Sequence, residues 1–224
     1  NKTDLVVSLA KLSDANTQTK FENCTADVNV PVGEVFTSPV LKGTNGTLHV
    51  SEIYLNGWKF IDLCLVIENG FIKEYSCKNY PTQKENAEYI NEHLLYDHKT
   101  LPMGEFAIGT NTTAYVMGNK YQINDKLDIL IAEKTGPHFA FGDTCYSMDE
   151  ETKVFNPDGK EVVAKDNEVS IKRAEDSYFG CHTDVTIPYY ELGDIVAIGD
   201  SEVAIIRDGK FVLEGTAQLN IEGM

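Results

Sequence analysis

Over the first third of the chain, short runs of alternating hydrophobic and polar residues are punctuated by Asn-Gly dipeptides. Asn45-Gly46, Asn56-Gly57 and Asn69-Gly70 separate Thr47 to Leu55, Trp58 to Glu68 and Phe71 to Cys77, all rich in β-branched and aromatic residues. Asn-Gly supplies the positive φ angles of a type I′ turn, so an antiparallel meander is predicted. At Thr82 the period changes. Thr82 and Glu85 form a capping-box pair, and Ala87, Ile90 and Leu94 recur at helical spacing, leaving Lys84, Glu88 and Glu92 on an exposed face. A second helix is predicted from Thr113 to Lys120, beyond the capping residues of Gly109-Thr110-Asn111. Leu127 to Ala132 and His138 to Phe141 read as short buried strands. Ser147 to Glu175 is the most polar stretch and contains an Asn156-Pro157-Asp158-Gly159 turn, which predicts a mobile excursion or a surface hairpin. Ile195 to Ile198, Val203 to Arg207 and Lys210 to Leu213 form a closing meander, the last two joined by Asp208-Gly209. The sum is an α+β fold: a β-rich, mixed-sheet or barrel-like domain with a few helices and no internal repeat.

Composition narrows the function. With 224 residues and 42% hydrophobic content the chain can bury a sizeable core as one domain spanning 1–224. Thirty-five acidic against nineteen basic residues give a net charge of −16, which repels phosphate backbones and argues against nucleic acid as a partner. No apolar run approaches the roughly 20 residues of a membrane helix. The five cysteines are odd in number and widely spaced, which favours reduced thiols and a cytoplasmic location. Four Asn-x-Ser/Thr sequons, at Asn1, Asn23, Asn45 and Asn111, point the other way. The opening Asn1-Lys-Thr-Asp-Leu-Val-Val reads as the middle of a strand-bearing region, so a fragment of a longer protein is expected.

Candidate chemistry lies in four apolar, glycine-flanked segments that carry Glu34, Glu105, His138 and the pair His182 and Asp184. Each has an ordinary explanation when read singly. Glu34 could sit at a loop-to-strand edge, His138 could be a hydrogen-bonded core histidine, and His-x-Asp is common by chance. Jointly they are informative, because charge inside apolar segments needs compensation. His182 and Asp184 are two positions apart, so on a strand they share a face. Three carboxylates and two imidazoles suit a pair of borderline divalent ions that activate water. His49, His93 and His98 have no matching carboxylate nearby in sequence and are assigned no role. Cys145 has no neighbouring base and is read as a non-catalytic thiol.

The same segments carry a resemblance. Pro31-Val-Gly-Glu-Val-Phe-Thr-Ser-Pro39, Leu101-Pro-Met-Gly-Glu-Phe-Ala-Ile-Gly-Thr-Asn111, Glu133-Lys-Thr-Gly-Pro-His-Phe-Ala-Phe-Gly142 and Cys181-His-Thr-Asp-Val185 together resemble the thermophilic-type metallo-aminopeptidases, the family of aminopeptidase T and aminopeptidase S. The resemblance implies a dinuclear metal site held by Glu34, Glu105, His138, His182 and Asp184, with Tyr146 matching a tyrosine ligand. It implies that the chain is the carboxy-terminal, metal-binding half of an aminopeptidase, a homodimer when complete, acting on peptides with a free amino terminus. An isolated half is expected to be poorly active. In that chemistry Glu105 bridges two ions of zinc, cobalt or manganese, and Tyr146 ligates an ion or steadies the oxyanion; no general base is identified. Two other classes also fit the residues: another two-metal hydrolase, acting on amide or phosphate esters, and a metal-free β-rich binding domain.

Overall fold

A computed structural model describes residues 2–26, 28–147 and 152–224, which leaves the sequon at Asn1 and part of the polar excursion outside the described residues. In chain order the strands are β1 (Asp4–Ser8), β2 (Gln18–Thr19), β3 (Glu22–Asn23), β4 (Glu34–Thr37), β5 (Val40–Leu55), β6 (Trp58–Glu68) and β7 (Phe71–Ser76). Helix α1 (Gln83–His93) follows, then β8 (Met103–Gly109), α2 (Thr112–Tyr121), α3 (Ile129–Ala132) and β9 (Pro137–Gly142). The last third holds β10 (Glu161–Val162), β11 (His182–Thr186), β12 (Ile195–Ile198), β13 (Glu202–Arg207) and β14 (Lys210–Phe211).

The fold is α+β, with open sheets in place of a closed barrel. One sheet has the order β1-β5-β6-β7 and a second the order β11-β9-β8-β4-β3, both antiparallel throughout. Among the described residues the one parallel pair is β10 with β2. The two large sheets share a core in which Leu48, Val50, Leu63 and Leu65 of the first meet Phe139, Phe141 and Val185 of the second. Each such fully buried side chain contributes about 1.5–3 kcal/mol relative to exposure. Ile90 of α1 and Leu94, which caps its end, close the same core. A smaller cluster joins Ile108 and Tyr115 to Tyr189, Ile206 and Phe211, and so fixes the sheet of β12, β13 and β14 against α2.

Most predicted elements form. The capping box at Thr82 is present, and Asn111 caps α2 by accepting from the Ala114 N–H. Asn56-Gly57, Asn69-Gly70 and Asp208-Gly209 have positive φ at both residues, as a type I′ turn requires. The Asn156 turn closes a small hairpin in which Phe155 pairs with Glu161.

Two predictions are corrected. Asn45-Gly46 is no turn, because β5 runs straight through it and pairs there with Val6 and Leu5 of β1. A partner from 40 residues earlier overrides the local turn signal, and the Asn45 side chain accepts from the Asn69 N–H instead. Leu127 to Ala132 is no buried strand. Asp128 accepts from the Leu130 N–H and starts the short helix α3, whose Leu130 is 40% exposed. No helix among the described residues is long and apolar enough to cross a membrane.

One irregularity positions everything that follows. Leu101 to Met103 hydrogen-bonds to β7 of the first sheet, through Ile72 N–H to Leu101 O and Met103 N–H to Gly70 O. The chain then crosses into the second sheet at a β-bulge between Met103 and Glu105. Met103 pairs with the core-facing Phe141, whereas Glu105 pairs with Ala140 on the opposite face. Without the extra residue Glu105 would point into the core beside Met103. Only glycine fits the bulge, because a Cβ on Gly104 would stand 2.1 Å from the Asp143 carbonyl oxygen.

Replacing Gly104 by alanine is therefore expected to cost about 1–3 kcal/mol, since backbone must move to admit the methyl group. Urea unfolding of the variant beside the parent measures this. Equal midpoints would show that the bulge tolerates a side chain.

Candidate metal centre

Strand parity delivers charge to one face of the second sheet. Residues opposite one another in a ladder share a face. The register sets Glu105 and Asp184 against Ala140, His138 against Ala107 and Thr186, His182 against Gly142, and Glu34 against Gly109. All five polar residues thus project from the same side. The intervening positions, Ala107, Ala140, Gly109 and Gly142, are small enough to let their side chains converge. The other side carries Phe106, Phe139, Phe141 and Val185, which seat the sheet on the core.

The convergence is close. His138 Nε2 lies 3.3 Å from Glu34 Oε2, 3.5 Å from Glu105 Oε1 and 4.0 Å from Asp184 Oδ1. His182 Nε2 lies 3.0 Å from Glu105 Oε2 and 3.6 Å from Asp184 Oδ1. Glu105 therefore presents one oxygen to each imidazole. Glu34, Glu105, His138 and Asp184 are buried, while the His182 side chain is 31% exposed and marks the open side. Each imidazole is oriented from behind: Nδ1 of His138 lies 3.3 Å from the Gly136 carbonyl and Nδ1 of His182 lies 2.7 Å from that of Asp143. With Nδ1 committed to a carbonyl, Nε2 is the nitrogen that faces the carboxylates, the one a metal-binding histidine uses once its proton is displaced.

The donor set fits divalent metal. Buried polar atoms nearly always have hydrogen-bond partners. Here Glu34 Oε2, His138 Nε2 and Asp184 Oδ1 have none, and they make up three of the five such atoms among the described residues. Ligand atoms bound at about 2.0–2.2 Å to one ion sit roughly 3–3.5 Å apart, which matches the spacings found here. Two groups of possible ligand atoms lie within 4.8 Å of one another, Glu34 with Glu105 and His138, and Glu105 with Cys145 and His182. Glu105 belongs to both.

Electrostatics follow from three acidic groups sharing a dry space. Burial alone would raise the Glu105 pKa, but His138 and His182 hold it below the usual carboxylate range. Burial likewise disfavours the imidazolium forms, and Glu105 with Glu34 for His138, and Asp184 with Glu105 for His182, outweigh it and push both histidines well above their ordinary value.

Tyr146 lies against β4 and β8. Its hydroxyl donates to Glu22 Oε2 at 2.5 Å, and its ring packs with Cys24, Phe36 and Ala107. Sequence reasoning found no partner for Cys145 and passed over Glu133 and Lys134. Cys145 is exposed as a residue, and its Sγ lies 3.1 Å from Glu105 Oε2, within reach to donate a hydrogen bond to it. Lys134 is wholly buried, 3.2 Å from Glu34 Oε1 and bonded to Glu133. Burial opposes its charge, and Glu133 and Glu34 hold its pKa up nonetheless. Burial, with Asp184, pushes the Glu133 carboxyl up to about 7 against the pull of Lys134. A Glu-Lys dipeptide looks like ordinary surface in sequence, and nothing local marks it as interior. His49, for which sequence offered no carboxylate, lies 2.5 Å from Asp62 on the neighbouring strand of the first sheet.

Comparison with known proteins agrees with this geometry. A family model described as thermophilic metalloprotease (M29) matches residues 1–211. Wild-type AmpT from Thermus thermophilus has a similar fold, with a TM-score of 0.59 and 21% identity over 95% of this chain. The match covers 48% of that protein, so the chain spans about half its length. No curated protein matches.

Metal binding is expected to release protons, because the carboxylates favour protonated His138 and His182 and an ion must displace those protons. Zinc affinity should therefore fall as pH is lowered through the raised histidine values. Calorimetric titration in buffers of different ionisation enthalpy counts the protons; binding with no proton release would contradict the assignment of both imidazoles.

Proposed function

This chain belongs to the thermophilic metalloprotease family M29, and we propose that it is the metal-binding half of an aminopeptidase with a dinuclear centre. The observation that carries the reading is Glu105, whose two oxygens face two separate imidazoles and so join two ligand groups into one. Glu34 and His138 would hold one ion, His182 and Asp184 the other, with Glu105 between them. Zinc, cobalt and manganese all accept this mixture of carboxylate and imidazole. Bound there, such ions supply Lewis acidity toward a peptide carbonyl and toward water.

The chain's own residues supply the rest. The small side chains between the strands leave room for the donor side chains to converge, and the buried positions of Glu34, Glu105 and Asp184 keep bulk water from competing for the ions. His182, on the open side, sets the edge from which substrate approaches. A substrate's free amino terminus would bind an ion or a nearby acidic group, which would restrict cleavage to the first peptide bond. The substrates on this reading are peptides with a free amino terminus, and the complete protein is a homodimer.

An assay of aminoacyl-p-nitroanilides beside a phosphodiester, with and without added cobalt, zinc or manganese, tests the reaction class. Metal-dependent release of p-nitroaniline from free amino substrates and none from N-acetylated ones is expected. Glu105→Gln should lower the rate by more than about 100-fold, beyond what loss of an outer partner costs. Phosphodiester cleavage in preference to anilide cleavage would overturn the proposal.

A further inference from the structure

Lysine is almost never fully buried unless paired, yet Lys134 is 0% exposed beside the candidate centre. Its segment is clamped there by backbone. Gly109, the residue opposite Glu34 in the ladder, has no side chain, and a Cβ on it would lie 2.5 Å from the carbonyl carbon and oxygen of Lys134. The same carbonyl accepts from the Asn111 N–H at 3.0 Å, and Gly136 O accepts from the Gly109 N–H at 3.0 Å. The ammonium is thereby aimed at Glu34 Oε1, at 3.2 Å, while Glu34 Oε2 faces His138 Nε2 with no hydrogen-bond partner. The two oxygens of one carboxylate are divided between two tasks.

We propose that Lys134 is a positioning residue that occupies Glu34 Oε1 and so restricts Glu34 to a single oxygen, Oε2, for the ion it shares with His138. The inference rests on the metal-centre reading above. Lys134 has no access to substrate, so its effect passes through Glu34. Glu133 completes the arrangement: its carboxylate bonds the same ammonium and balances its charge. A carboxylate tied this way cannot swing to chelate one ion with both oxygens, which keeps the donor atoms divided between two positions.

The test is zinc affinity of the 224-residue chain, read by competition with a chromophoric chelator, in the parent, Lys134→Met, Glu34→Gln and the double variant. Lys134→Met is expected to weaken zinc binding about 10- to 100-fold, the usual effect of losing a partner that orients a ligand. In the Glu34→Gln background the same substitution should change affinity little, because residues that act through one another are not additive. With cobalt, the visible absorption bands of Lys134→Met should differ from those of the parent as Glu34 gains freedom to use both oxygens. If Lys134→Met does not fold, Glu133→Gln with Lys134→Met, which removes two opposite charges together, is compared with Glu133→Gln instead. Parental zinc affinity and cobalt spectrum in the lysine variant would overturn the proposal, as would an equal loss with and without the Glu34 carboxylate. A parent chain that binds neither zinc nor cobalt would overturn the metal-centre reading itself, a result distinct from either.

Discussion

Three carboxylates held within a few ångströms of one another under an apolar sheet are the constraint on which the rest depends. Charges of like sign in a low-dielectric space repel strongly and lose their hydration. Something positive must answer them. The protein supplies part of it through Lys134 and through two imidazoles whose pKa values are driven up. The remainder is visible as unmet demand, in Glu34 Oε2, His138 Nε2 and Asp184 Oδ1, which have no hydrogen-bond partner. A divalent metal, which membership of the thermophilic metalloprotease family implies, would meet that demand.

The sheet accomplishes this by giving its two faces opposite chemistry. Phe139, Phe141 and Val185 bind it to the core, and the alternate residues His138, Asp184 and Glu105 rise on the other side. Because both faces are covered, β9 is buried along its whole length and its sequence reads as a nearly continuous apolar run. A single histidine in such a run is costly unless it has partners. The bulge at Gly104 shows how finely the face is set, since one residue more or fewer there exchanges Glu105 for a core position.

Legibility of the site from sequence was uneven for identifiable reasons. Glu34, Glu105, His138, His182 and Asp184 stood out because each is a charge in an apolar, glycine-flanked setting, and the structure brings all five together. Lys134 did not stand out, and Cys145 was weighed without its partner. Lys134 meets Glu34 across 100 residues of chain, and Cys145 meets Glu105 across 40, contacts that no local pattern announces. Tyr146 was placed with the ligands by the resemblance alone, and in the structure its hydroxyl donates to Glu22.

Local chemistry in the sequence determined the turns at Asn56-Gly57, Asn69-Gly70 and Asp208-Gly209, the capped start of α1, the residue types able to bind metal and the shared face of His182 and Asp184. These depend on φ preferences, side-chain reach and the period of a strand, all set within a few residues. Tertiary structure alone decided that β5 passes through Asn45-Gly46 and that four strands align their polar residues in one place. Those outcomes are set by register between distant segments, and register is fixed only when the whole core chooses the pairing that buries its apolar faces and leaves the charged ones together.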